Sequence, residues 1–322
     1  MHDYLLRCLD SICIESVLGD VQVIVVDDGS TDDTSQIAHE YADRYPHYFQ
    51  VIDKENGNYG SCMNVALPLA EGKYFRTLDA DDWYDTEAYY QYVRALAHTD
   101  SDLITSPRID VRFVHDKVQS QFIVRDDIFH VMNVCYRTHI LYESGMQWSE
   151  GVYYTDHEFL FLPLPDVQNI SCLDFPVYCY AIGREGQSVS WTNTMKNLGS
   201  RVVVTERLLN RYLQIFPTAE FLHPFYIDVL MRLLTNVYAT LYTDGLKHED
   251  SVKKIERLVL QNPELKDLTD QLNDFHFYRG GYYVRAYRRN RLSAWFYFLH
   301  YHIKMNVFVR RVVDFLKRSN DT

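Results

Sequence analysis

Two apolar, strand-like runs near the start of the chain each end in adjacent aspartates. Val23-Ile24-Val25-Val26 leads into Asp27-Asp28-Gly29-Ser30, and about fifty residues later Tyr74-Phe75-Arg76-Thr77-Leu78 leads into Asp79-Ala80-Asp81-Asp82. Carboxylates crowded at the carboxyl end of a buried strand repel one another and resist desolvation. A positive charge offsets that cost, most often a divalent metal carrying a phosphate. Two strands that end this way point to a metal- and nucleotide-binding α/β domain.

The intervening sequence supports that class. Leu5, Leu6, Leu9 and Ile12 recur at helical spacing over residues 4–14. Residues 21–26 form a β-branched run with little alternation, as in a strand covered on both faces. Ser30-Thr31-Asp32-Asp33 offers helix-starting side chains for a helix that runs to about Arg44 and closes at Pro46. The pattern continues with a strand at 49–52, a turn at Gly57-Asn58-Tyr59-Gly60, a helix through Leu69 and a strand at 74–78. A helix over 86–98 and a strand over 102–105 follow. Such alternation implies a mostly parallel sheet flanked by helices, with ligands at the carboxyl ends of the strands. Residues 110–151 read as irregular and aromatic, and 172–182 as a strand whose Pro176 marks an edge or bend. From about Asn197 the pattern is helical, so the expected domains are 1–195 and a helical region over 196–322.

Composition narrows the function. At 322 residues and 47% hydrophobic the chain can bury a real core. Its six cysteines show no CxxC spacing and read as core thiols of a reducing compartment. The first residues enter a helix pattern directly, which reads as a chain without a secretory leader. No stretch reaches 18 uninterrupted apolar residues, so no membrane span is expected. The net charge of −12 is uneven: residues 275–320 hold ten Lys/Arg against one acid, Asp314, leaving about −21 on the remainder. That bulk charge disfavours a nucleic-acid partner. The absence of GxGxxG after the first strand disfavours a NAD enzyme.

The motifs and their order resemble family 2 inverting glycosyltransferases of the GT-A (Rossmann-like) fold, as found in bacterial polysaccharide synthesis. The matching pieces are residues 25–32, Asn64-Val65-Ala66-Leu67 with Glu71-Gly72-Lys73-Tyr74, residues 78–82, Tyr154-Thr155-Asp156-His157-Glu158-Phe159, and Gly183-Arg184-Glu185-Gly186-Gln187-Ser188. The resemblance covers roughly residues 1–195. It implies transfer of a sugar, with inversion, from a nucleotide sugar to a glycan or lipid-linked acceptor. Asp81 takes the position of the ligand to Mn²⁺ or Mg²⁺, and Asp79 that of the partner of the ribose hydroxyls. Asp28 takes the position that accepts an N–H of the base, which a uracil ring would supply, so a UDP-sugar is expected. Asn58 lies in the loop that helps hold the base, and Arg184 in the loop over the donor phosphates. Asp156 takes the position of the catalytic base, with Glu158 as second choice. The bland alternative is that Asp156 caps a helix beginning at His157, itself a helix-start or pocket-wall residue. Asp32, Asp33 and Asp82 read as capping, turn or supporting acids.

Two departures from the family are visible. Thr155 stands where the family often has glutamate. Family members also open with a central strand before the helix that here starts near Tyr4, and the chain as read lacks it. On that reading this chain binds nucleotide weakly or is unstable, and restoring upstream residues raises its melting temperature. One alternative is therefore an inactive nucleotide-binding or scaffold protein of the same fold; another is a nucleotidyltransferase, which also combines an α/β sheet with metal-binding aspartates. At the other end, residues 292–317 mix aromatic and aliphatic residues with arginines. This basic amphipathic stretch reads either as a membrane-surface anchor of a cytoplasmic enzyme, on the inner face of the plasma membrane, or as a helix packed on the catalytic domain or on a second subunit of a homo-oligomer.

Overall fold

A computed structural model describes residues 2–114, 117–125, 129–183, 197–215, 220–243, 248–271, and 284, 285, 287 and 288. The chain divides into two compact units, residues 1–187 with 215–225, and 188–214 with 226–322.

The first unit opens with α1 (His2–Ile12) and the short α2 (Glu15–Leu18), then β1 (Val23–Asp27), α3 (Thr34–Arg44) and β2 (Phe49–Asp53). β1 and β2 run parallel in register, Val23 beside Phe49 and Asp27 beside Asp53. Among the described residues β1 has β2 as its single strand partner. Next come α4 (Asn58–Ala66), β3 (Tyr74–Phe75), β4 (Trp83–Tyr84) and α5 (Thr86–His98). The Asp85 carboxylate caps α5 by accepting the Ala88 N–H at 3.0 Å, and the helix turns Tyr89, Tyr92 and Val93 inward. β5 (Leu103–Thr105), the hairpin of β6 (Arg108–Val114) and β7 (Lys117–Val124), β8 (Val134–Arg137), α6 (Thr138–Glu143), α7 (Asp156–Phe161), β9 (Ile170–Cys172) and β10 (Tyr178–Ile182) complete the unit.

Beyond the β1–β2 pair, the strands form two four-stranded sheets, β4-β10-β6-β7 and β3-β8-β5-β9. The expected α/β class with flanking helices stands, but the sheet is mixed. β1/β2, β6/β10 and β5/β9 are parallel, while β4/β10, β3/β8, β5/β8 and β6/β7 are antiparallel. The antiparallel ladders come from segments the sequence left irregular or read too simply. β7 is exposed along nearly its whole length, so it carries no buried face to generate alternation. Pro176 falls between β9 and β10 and forces two strands where one was expected. The strand expected over 74–78 keeps its ladder only at Tyr74 and Phe75, and the expected turn at 57–60 is largely the first turn of α4.

Leu103, Ile104, Val134, Cys135, Tyr136, Leu141, Phe159, Leu160 and Phe161 are the densest part of the core. Phe159 packs against Tyr136, Phe75 and Trp148, and the Tyr136 hydroxyl donates to the Leu160 carbonyl at 2.9 Å. Burying each of these side chains stabilises the fold by about 1.5–3 kcal/mol, which fixes α7 and the residues that begin it.

The second unit is built on helices Leu198–Ile215, His223–Thr243, Glu249–Gln261 and Pro263–Gln271. Glu249–Gln261 turns Val252, Ile255 and Val259 inward at helical spacing. No helix among the described residues is long and apolar enough to cross a membrane. The amphipathic stretch at 292–317 lies outside the described residues.

Candidate active site

The second acidic run forms a tight turn whose ends are tied by the Asp82 N–H donating to the Asp79 carbonyl at 2.9 Å. The carboxylates of Asp79, Asp81 and Asp82 converge, with one oxygen from each lying within 4.8 Å of the others. Asp81 and Asp82 are buried. Helix α1 holds the turn from one side, where Arg7 donates to the Asp81 carbonyl at 3.2 Å and stacks on Trp83 at 3.6 Å. The Cys8 thiol donates to the Asp79 carbonyl at 3.7 Å. Strand β10 holds it from the other.

Asp82 takes the supporting place among the readings the sequence offered for it. It is fully buried and accepts from the Tyr178 hydroxyl and the Ala181 N–H, each at 2.7 Å. Burial, then the charges of Asp79 and Asp81, hold its carboxyl well above the usual carboxylate range. This crowding is what a divalent cation relieves, and carboxylate oxygens are the ligands a hard cation takes. The Asp79 and Asp81 carboxylates, with Asp82 bracing the turn from behind, are the oxygen donors that Mn²⁺ or Mg²⁺ takes.

The first acidic run has a different surrounding. Asp28 accepts from Lys54 Nζ at 2.6 Å and from the N–H groups of Gly57 and Asn58, each at 2.9 Å. Burial opposes its ionisation, but the bonds from Lys54, Gly57 and Asn58 outweigh it and lower its pKa. Asp28 thus fixes the start of α4, and Asn58 contributes through its backbone. Asn58 and Tyr154 are the two non-glycine residues with positive φ among those described, at 67° and 68°. Such conformations cost about 1 kcal/mol or more and gather at functional loops.

Asp156 is the first residue of α7, and Thr155, not Asp156, occupies the N-cap position. The Asp156 carboxylate is partly exposed and lies 3.3 Å from His157 Nδ1. Glu158, the second-choice base, is corrected to a structural role. It is fully buried and accepts from the Ser149 N–H at 2.7 Å and the Ser149 hydroxyl at 2.8 Å.

The start of α4 gathers these pieces. The N–H groups of Gly57 and Asn58 meet Asp28, the carboxylates of Asp79 and Asp156 both act on the buried Tyr59 hydroxyl, and Ser61 accepts from Lys54 at 2.8 Å. Burial first, then the charge of Asp79, pushes the Tyr59 hydroxyl well above its ordinary range. Asn64 accepts the Trp148 N–H at 2.8 Å and donates to the Trp148 carbonyl at 3.1 Å and to Glu150 at 2.8 Å. The Gly151 N–H reaches the Gly57 carbonyl at 3.0 Å. Asp28 thus meets the first residues of α4, while Asp79, Asp81 and Asp82 form their own cluster. Arg184, with Gln187 and Ser188, lies outside the described residues.

Comparison with known proteins agrees with this architecture. Residues 2–148 match the sequence profile of Glycosyl transferase family 2. An uncharacterized glycosyltransferase of Mycoplasma pneumoniae, the MG025 homolog, is 28% identical over 184 residues, 47% of this chain and 60% of that protein. The chain thus spans less than two thirds of that relative's length. Among solved structures, S. aureus TarS 1-349 superposes with a TM-score of 0.60 at 18% identity, covering 89% of this chain and 88% of that fragment. The same protein in complex with UDP-GlcNAc gives a TM-score of 0.50 at 20% identity, covering 80% and 88%. These superpositions establish the fold.

Proposed function

Residues 2–148 belong to glycosyl transferase family 2 and the chain has the GT-A fold, and from that premise we propose that it transfers a sugar, with inversion, from a UDP-sugar to a glycan or lipid-linked acceptor in polysaccharide synthesis. The observation that carries this reading is the clustering of the Asp79, Asp81 and Asp82 carboxylates on one turn, with Asp28 holding the loop at the start of α4. The solved complex of TarS with UDP-GlcNAc supports a uridine donor.

In this reaction the acceptor hydroxyl attacks the anomeric carbon from the face opposite the diphosphate. The new C–O bond forms as the anomeric C–O bond to phosphate breaks, and UDP leaves with the electron pair. The Asp156 carboxylate takes the acceptor proton, and its partial exposure keeps it reachable from solvent. Asp28 accepts the N–H of the uracil through lone-pair capacity left beside its loop contacts. Asp79 accepts from the ribose hydroxyls. Asp81 would hold Mn²⁺ or Mg²⁺, whose charge would offset the negative charge that develops on the departing diphosphate. Arg184 pairs with the donor phosphates. The basic stretch at 292–317 supports attachment at the inner membrane face, where a lipid-linked acceptor would reside.

The test is a thermal-shift series with UDP, GDP, CDP and TDP, each with and without Mn²⁺, on wild type and Asp81→Asn. A UDP shift that requires Mn²⁺ and vanishes in the variant is expected. No shift with any nucleotide would overturn the reading.

A further inference from the structure

Tyr178 stands in the middle of its sheet, paired through β10 with Tyr84 on one side and Arg108 on the other. It is 2% exposed. Its ring meets Tyr84 edge-on at 5.9 Å, and the Arg76 guanidinium packs over it at 5.5 Å. A tyrosine paired on both strand edges and covered this way has one position available to it.

Its hydroxyl makes two bonds to the acid turn. It donates to Asp82 Oδ2 at 2.7 Å and accepts the Asp79 N–H at 3.2 Å. One oxygen atom therefore holds both ends of the four-residue turn that carries Asp81. Three residues along β10, the Ala181 N–H takes the other Asp82 oxygen at 2.7 Å. Asp82 is fully buried and has both oxygens committed to β10. The turn that carries Asp79 and Asp81 is thereby held in a frame that Asp82 and Tyr178 fix.

We propose that Tyr178 is a positioning residue of the donor site, which holds the Asp79–Asp82 turn in its cation-binding shape through Asp82 and the Asp79 amide. This rests on the reading of the acid turn as a metal-nucleotide site. Removing the hydroxyl leaves the Asp79 N–H and Asp82 Oδ2 short of a bond each, and the turn relaxes to recover them. Partners behind first ligands act in this way, and losing one weakens metal affinity by about 10- to 100-fold.

The experiment compares wild type, Tyr178→Phe and Tyr92→Phe. Tyr92 is the control because its ring covers the same Arg76 at 4.8 Å and is equally buried, while its hydroxyl makes no bond to the turn. Free Mn²⁺ is titrated by electron paramagnetic resonance in the presence of UDP, and melting temperatures are recorded alongside. Tyr178→Phe is expected to weaken Mn²⁺ binding about tenfold, with Tyr92→Phe close to wild type. Equal binding by wild type and Tyr178→Phe, or equal losses in both variants, overturns the inference alone. Wild type that fails to take up Mn²⁺ with UDP overturns the donor-site reading and the inference with it. Should Tyr178→Phe not fold, Asp82→Asn breaks the same link from the other side. It keeps the volume and an acceptor for the Ala181 amide, and it must show the same loss.

Discussion

A β-carbon on Gly60 would stand 2.1 Å from the Ser149 carbonyl oxygen. Helix α4 and the segment carrying Ser149 approach closely enough there that no residue but glycine fits. Ser149 is in turn held by Glu158, two residues past Asp156. A backbone contact thus links α4 to the segment that Glu158 holds beside Asp156.

Gly60→Ala is therefore expected to cost about 1–3 kcal/mol, because backbone on both sides must yield. In a domain of this size that is a fall in melting temperature of about 2–4 °C per kcal/mol. Turnover should fall further than the folded fraction does, since the displaced segment positions Asp156. A thermal melt with parallel sugar-transfer kinetics checks both.

The two carboxylates of α7 should separate cleanly. Asp156→Asn is expected to lower kcat by about 100- to 10,000-fold with little change in melting temperature. Glu158→Ala strands the Ser149 N–H and hydroxyl and should cost about 1–3 kcal/mol of stability. It should leave a measurable rate whose pH dependence matches wild type. If Glu158→Ala abolishes the rate at full stability while Asp156→Asn does not, the assignment of the base is reversed.

Asp28 makes the loop at the start of α4 sensitive to acid. Its folded pKa lies below its unfolded value, near ~3.9, because the bonds from Lys54, Gly57 and Asn58 outweigh burial. Its contribution to stability is fully present above the unfolded pKa and is lost as pH falls through the lower folded one. The stability gap between wild type and Asp28→Asn should be largest above pH ~4 and close below it. Urea midpoints from about pH 6 to pH 3 test this.

In the second unit, Glu256 is buried and accepts from Arg288 Nε at 2.7 Å and from the Tyr238 hydroxyl. Arg288 also reaches Asp270 at 2.5 Å and Thr269 at 2.9 Å. Arg288→Met strands a buried carboxylate and should cost on the order of 3 kcal/mol. Adding Glu256→Gln to that variant removes the stranded charge and should recover part of the loss. Additive losses in the double variant would show that the pair is not coupled.

The sequence by itself determined the class of the fold and the identity of the acids. An unalternating β-branched run that ends in aspartates can be read locally, because strand burial and the desolvation cost of carboxylates are properties of short segments. The helix over 86–98 was equally legible, since its cap and its buried face lie within it. Tertiary structure alone supplied the distant donors that brace some of these acids. Glu158 reads locally like Asp156, yet its oxygens are taken by Ser149, while Asp82, read as a capping, turn or supporting acid, is held by Tyr178 and Ala181. The β6–β7 hairpin was also invisible, because an exposed strand leaves no buried face in its sequence. A carboxylate's role depends on whether the fold brings a donor or leaves an opening beside it. Donors that lie 96 and 99 residues away leave no trace in the local pattern.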